Sequence, residues 1–327
     1  MVIFEQEKIM RFVITGGTGH IGNNLIRFIR RKEPNSEIVA LVRKEGNVAL
    51  KGVDCTQVAG DFSAGFLEDN IREGDIVLHL IGVIDLKNNK KEETDKINFE
   101  LTKTICQICQ KKNVAKFVYV GSVDAIFKEG NGVIVEPDMY HPDKVEGNYA
   151  QSKAKATQYV LDVINNNPQL NYAIALPSAV MGINDFKPSA VGKIISDVIG
   201  GKAELGIKGG YNFVDVEDVA SALYKIATSN ARGQYILSGH NVTVKEMYYA
   251  INKIKNLKTK PIIFPTWVAR LACPFVNVLN KITLKALLEP HNYSSEKAEK
   301  EFGYQSTEFE KTLQKTIEWF EERKKAK

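Results

Sequence analysis

Apolar and polar positions alternate along this chain in two rhythms. Short, nearly unbroken apolar runs, RFVIT from Arg11, IVALV ending at Val42, DIVLHL from Asp75, KFVYVG from Lys116 and YAIAL from Tyr172, are bounded by turn-forming residues. A shorter strand is expected near Gln57 and Val58. Between these runs lie longer amphipathic stretches, one reaching about Arg31, one over 98–112 and one over 149–165. Short apolar runs alternating with amphipathic helices make the βαβ rhythm of a parallel sheet, so the expected fold class is α/β with a doubly wound sheet.

Beyond Pro177 the rhythm changes, with glycines and prolines up to Gly210 and two predominantly helical stretches from Thr243 onward. NFVDVEDVASALYKIA reads as a strand entering a helix, with Asp215 or Glu217 near the helix N-terminus, where an acidic residue is favoured. The expected organisation is a large domain over 10–176, with 211–242 packing back on it, and a smaller, mostly helical substrate lobe from 177–210 and 243–327. The apolar stretch PIIFPTWVARLACPFVNVLNKI is interrupted by Pro265, Arg270, Pro274 and Asn277. It falls short of the roughly 20 uninterrupted apolar residues of a membrane span and is expected to form a helical wall of the lobe, with a membrane-surface or partner contact as the lesser reading.

Composition narrows the function classes. The chain has 327 residues, a net charge of +5 and one dense basic cluster, Arg323, Lys324, Lys325 and Lys327, which suits a solvated helix end better than a nucleic-acid surface. No signal peptide is legible before Cys55, Cys106, Cys109 and Cys273, so reduced thiols and a cytoplasmic location are expected. Cys106 and Cys109 fall in a helical run without the second pair a zinc site needs, and no two histidines have ligand spacing, so no metal is expected.

Candidate chemistry begins at the first turn. RFVITGGTGHIG puts glycines between a strand and an amphipathic helix, read as Gly17-x-Gly19-x-x-Gly22 or Gly16-x-x-Gly19-x-x-Gly22. Either spacing gives a tight turn, close backbone approach to a pyrophosphate, and amides at a helix N-terminus, the Rossmann dinucleotide fingerprint. Gly16, Thr18, Gly19, His20, Ile21 and Gly22 are the expected contacts, with Leu80 and Pro177 at the ends of later strands. The second strand ends in Arg43 where an acidic residue would bind a ribose hydroxyl, so NADP(H) is favoured over NAD(H). Asp61 and Phe62 follow the third strand, where they suit the adenine.

Tyr149 and Lys153 stand four residues apart on one helix face, about 6 Å along its axis. Bringing a phenol from a pKa of about 10 towards 7 takes about 4 kcal/mol of anion stabilisation, which a nearby ammonium and an oxidised nicotinamide can supply. Ser122 ends the strand KFVYVGS at the edge where open α/β sheets bind ligands, and can hold a substrate carbonyl oxygen. Asp124 nearby is read as an ordinary strand-end residue.

In order, the glycine turn, Gly60-Asp61-Phe62, Asn98, Ser122, Tyr149 with Lys153, Pro177 through Gly182, and FVDVEDVA resemble the extended short-chain dehydrogenase/reductase family over nearly the whole chain. VALVR, PSAVMGIND and GGYNFVDVEDVA look most like its dihydroflavonol 4-reductase-like branch. The resemblance implies catalytic Ser122, Tyr149 and Lys153, with Lys153 also on the nicotinamide ribose, Asp61-Phe62 in the adenine pocket, mostly NADPH as cofactor, and a possible homodimer. Gly121 replaces a usual hydroxyl residue, Leu176 a frequent Arg, and HLIGVIDL carries bulkier residues than usual, which bears on substrate shape. The expected reaction is hydride transfer between NADP(H) and a carbonyl of a small, mostly apolar molecule. A nucleotide-sugar epimerase or dehydratase with retained cofactor is the alternative, and a non-catalytic NADP(H) sensor the second alternative.

Overall fold

A computed structural model describes residues 9–85, 87–130, 132–268, 281–289 and 291–325. The elements begin β1 (Arg11–Thr15), α1 (His20–Lys32), β2 (Glu37–Val42), β3 (Thr56–Ala59), α2 (Ala64–Asn70) and β4 (Ile76–His79). They continue through α3 (Lys91–Thr94), α4 (Leu101–Lys111), β5 (Lys116–Val120), α5 (Asn148–Asn166) and β6 (Tyr172–Pro177). β7 (Ala179–Met181), α6 (Ala190–Val198), β8 (Leu205–Ile207), β9 (Gly210–Asp215) and α7 (Val216–Ala227) follow. β10 (Gly233–Leu237), β11 (His240–Thr243), α8 (Val244–Lys255) and β12 (Ile262–Phe264) precede helices at Lys281–Leu288, Glu296–Phe302 and Phe309–Lys325.

Seven strands form one parallel sheet in the order β10-β6-β5-β4-β1-β2-β3. Successive residues of each strand face opposite layers, which is why the runs read as continuously apolar. Phe12 and Ile14 pack with Leu25, Ile26 and Ile29 of α1 and Leu223 and Ile226 of α7. Val13 joins Ile105 and Cys109 of α4 and Val160 and Ile164 of α5 beneath the other face. The strand order reverses between β1 and β4, and their C-terminal ends open a crevice there.

β7, β9 and β11 make a second sheet, and β8 pairs with β12 in parallel. Met181, Ile195, Phe213, Met247, Ile251, Leu313, Ile317 and Phe320 form a separate core there. The expected helix at 262–280 is corrected in part: Ile262–Phe264 is a strand, drawn into register with Leu205–Ile207, while 269–280 lies outside the described residues. The run over 98–112 is also no uniform helix, because Asp95–Glu100 forms a π turn leading into α4. Among the described residues no helix is long and apolar enough to cross a membrane.

Candidate active site

The glycine turn lies in the crevice. Gly16 has φ of +79°, and a β-carbon there would stand 2.8 Å from the Leu80 carbonyl carbon, so the turn after β1 presses directly on the end of β4. A β-carbon on Gly22 would meet the Gly16 oxygen at 2.2 Å. Gly19 donates its amide to the Gly16 carbonyl at 2.9 Å and caps α1 without a side-chain hydrogen bond, and the first turn holds no acidic residue, so no side chain caps the helix N-terminus. This cradle fits a pyrophosphate. His20 points elsewhere: its Nε2 lies 3.0 Å from the Ile183 oxygen, while Asn24 donates to the same oxygen at 3.1 Å. The loop after β7 is thereby tied to α1, close to Pro177 at the end of β6.

Arg43 is exposed just beyond β2 and has no ion-pair partner among the described residues. Asp61 Oδ1 accepts from the Ser63 amide at 2.9 Å, an interaction that holds its carboxyl below the usual range. Phe62 adopts φ of +61° and packs edge-on against Phe66.

Ser122, Tyr149 and Lys153 converge above the end of β5. Ser122 follows that strand and accepts from the Asp124 amide at 3.2 Å, opening a short 3-10 turn. Burial pushes the Tyr149 phenol well above its ordinary pKa, the Asp124 carboxylate adds to this, and a hydrogen bond with Ser122 opposes it. Lys153 is buried, donates to the Val120 carbonyl at 2.9 Å, and is pushed down to about 7 by desolvation. The expected lowering of the phenol by Lys153 is therefore absent from the protein alone. A desolvated lysine holds its own proton weakly, and Asp124 bears on Tyr149 with the opposite sign.

A buried polar chain runs from the glycine turn to this group. Thr15 Oγ1 lies 2.7 Å from His79 Nδ1, and His79 Nε2 lies 2.9 Å from Thr102 Oγ1. Thr102 donates to the Asn98 carbonyl at 2.8 Å, which assigns the His79 proton to Nε2 from its partners. Asn98 Nδ2 donates to Ser152 Oγ at 2.9 Å, and Ser152 donates to the Tyr149 carbonyl at 2.8 Å. Asn98 also holds both backbone groups of Val83, accepting at 2.7 Å and donating at 2.9 Å. Its family position was legible, but nothing local marks it as the clamp joining the loop after β4 to α5. The π turn aims it inward.

A cavity of about 260 Å³ opens beside Tyr149, walled by Ile84, Ile126, Phe127, Val145, Tyr211 and Ile282. Charged residues share that wall. Lys128 pairs with Glu289 at 3.0 Å and Lys285 with Glu146 at 2.5 Å, joining the loop after β5 to the helix Lys281–Leu288. Sequence patterning missed this lining because its members come from segments far apart in the chain.

A parallel sheet whose order reverses at a glycine-rich turn places the protein in the Rossmann class of dinucleotide-binding folds. The profile described as the NAD dependent epimerase/dehydratase family matches residues 12–238, and the chain belongs to that family, of extended short-chain dehydrogenase/reductase type. A putative dihydroflavonol 4-reductase of Synechocystis sp. is 27% identical over 95% of this chain and 94% of its own. The decarboxylating sterol-4-alpha-carboxylate 3-dehydrogenase of Mus musculus is 25% identical over 98% of this chain and 93% of its own. A UDP-glucose 4-epimerase of Thermotoga maritima, solved with UDP-glucose, superposes with a TM-score of 0.79 over 97% of this chain and 100% of its own at 17% identity, a likeness of fold.

Proposed function

We propose that the protein interconverts a carbonyl and a secondary alcohol on a small, mostly apolar molecule, with NADP(H) as hydride carrier. The carrying observation is the convergence of Ser122, just after β5, with Tyr149, which lines a cavity of mixed apolar and charged wall, and with Lys153 one helical turn further on. Gly16, Thr18, Gly19, Ile21 and Gly22 would hold the pyrophosphate, Arg43 a ribose phosphate, Asp61 and Phe62 the adenine side, and Leu80, Pro177 and Lys153 the nicotinamide side. The bound cofactor supplies or accepts the hydride.

Ser122 hydrogen-bonds the substrate oxygen, and Tyr149 gives that oxygen its proton in reduction or takes it in oxidation. A phenol with a raised pKa keeps its proton, which suits the reductive direction. From the later part of the chain, Tyr211 of β9 and Ile282, Lys285, Ala286 and Glu289 wall this cavity.

The cavity favours this reading over a sugar-nucleotide epimerase. A diphosphate needs free cations, whereas Lys128 and Lys285 are already paired, and Lys144, the one lining lysine outside an ion pair among the described residues, shares the wall with Asp85, Asp124, Glu146 and Glu289. The names of the reductase and sterol dehydrogenase relatives agree with an apolar substrate. The test is NADPH consumption against ketones, sterol ketones and UDP-sugars. Stoichiometric release of NADP with an apolar ketone is expected; UDP-sugar epimerisation with retained cofactor would replace this proposal.

A further inference from the structure

β8 and β12 form a two-stranded parallel sheet whose two faces differ sharply. Register pairs Leu205 with Ile262, Gly206 with Ile263 and Ile207 with Phe264. Gly206 and Ile263 face inward, where a β-carbon on Gly206 would stand 2.6 Å from Val244 and 3.1 Å from Tyr248. The opposite face carries Leu205, Ile262 and Phe264, which are exposed, and Ile207, which is half-buried. Leu205 is 53% and Ile262 55% exposed, and Trp267, just beyond β12, is 65% exposed.

Exposed charge within the two segments that carry this face has one sign. Lys208, Lys258 and Lys260 are exposed and in no ion pair among the described residues. Glu204, the single carboxylate within 200–210 and 256–268, is turned inward: Asn252 donates to it at 2.8 Å, Thr259 bonds its other oxygen, and its backbone oxygen accepts from Ile262. A buried acid thus joins the two segments while leaving no carboxylate of theirs outside, beside exposed apolar side chains, lysines and the neutral Asn256 and Thr259. Gly209, after β8, abuts Leu287 of the helix that walls the cavity, so this face continues into the substrate pocket wall.

We propose that this face docks on an anionic phospholipid surface. Leu205, Ile262 and Phe264 enter the headgroup boundary, Trp267 lies at the interface, and the lysines reach lipid phosphates and carboxylates. A second copy of the chain is the poorer occupant, because a two-fold contact would bring like-charged lysines together. An apolar substrate could then be drawn from the lipid phase, but vesicle binding itself requires no turnover, so this inference stands apart from the reductase reading.

The test is flotation of the full-length protein with phosphatidylcholine vesicles containing phosphatidylserine, against phosphatidylcholine alone. We expect at least about a tenfold larger bound fraction with phosphatidylserine, falling several-fold as salt rises. The vesicles should also shift Trp267 fluorescence to shorter wavelength, a change lost in W267F. I262S/F264S and K258E/K260E should each abolish flotation while keeping NADPH affinity and the unfolding midpoint. If the apolar variant fails to fold, the lysine pair carries the test at fully exposed positions. No flotation of the wild type, or equal flotation of a folded K258E/K260E variant, overturns the proposal. So does wild-type self-association abolished by I262S/F264S without any vesicle binding.

Discussion

A methyl carbon of Leu176 lies 2.8 Å from the point where a β-carbon on Gly121 would stand. Two departures from the family pattern, separated by 55 positions, are thus one packing arrangement: the residue just after β5 is a glycine, which leaves room for Leu176, the penultimate residue of β6. The strand end keeps Ser122 in place without the usual hydroxyl before it.

That contact predicts coupling. Gly121→Ser should cost about 1–3 kcal/mol through overpacking, and Leu176→Ala should relieve part of that cost in the double variant. Denaturant unfolding of the four proteins measures it, and strictly additive losses would show the residues to be independent.

Lys153 gives a stability prediction with an unusual sign. Its folded pKa of about 7 lies below the ordinary 10.5, so between those values the unfolded chain binds more protons and stability rises with pH. This contribution, roughly 1.4 kcal/mol per pH unit at most, disappears in Lys153→Met. The variant should lose turnover yet unfold at a higher temperature than wild type near pH 7. A less stable variant with an unchanged pH slope would show that the lysine is not held in this desolvated state.

Arg43, just beyond β2, is exposed and in no ion pair among the described residues. Arg43→Ala should weaken NADPH binding by about tenfold to a hundredfold and leave NADH nearly unchanged. Fluorescence titration with both nucleotides decides it; equal losses for the two would remove the phosphate contact.

Asp124 raises the Tyr149 phenol, so neutralising it should lower that pKa. In Asp124→Asn the acid limb of the alcohol-oxidation pH profile should move to lower pH, because more phenolate is present at a given pH. A limb that stays in place would mean another group controls it.

The sheet was legible because strands buried on both faces carry continuous apolar runs, and the glycine turn because its spacing has a single steric purpose. Ser122, Tyr149 and Lys153 could be picked out for the same reason: each stands at a fixed place relative to a strand end or a helix turn. What escaped depended on contacts between distant segments. Ile262–Phe264 becomes a strand only through Leu205–Ile207, Asn98 becomes a clamp only through the π turn, and the charges of the cavity meet only after the helix Lys281–Leu288 folds over the loop after β5. The raised phenol was hidden too, since burial and Asp124 outweigh what Tyr-x-x-x-Lys spacing suggests.

If Tyr149 gives its proton to a carbonyl held by Ser122, its hydroxyl is indispensable to turnover but not to cofactor binding. Measuring kcat and NADPH affinity in Tyr149→Phe, on the first ketone the wild type reduces, tests it most directly. A fall in kcat of about a hundredfold or more is expected, with NADPH affinity within about twofold of wild type. Turnover at the wild-type rate in a variant that still binds NADPH would contradict it.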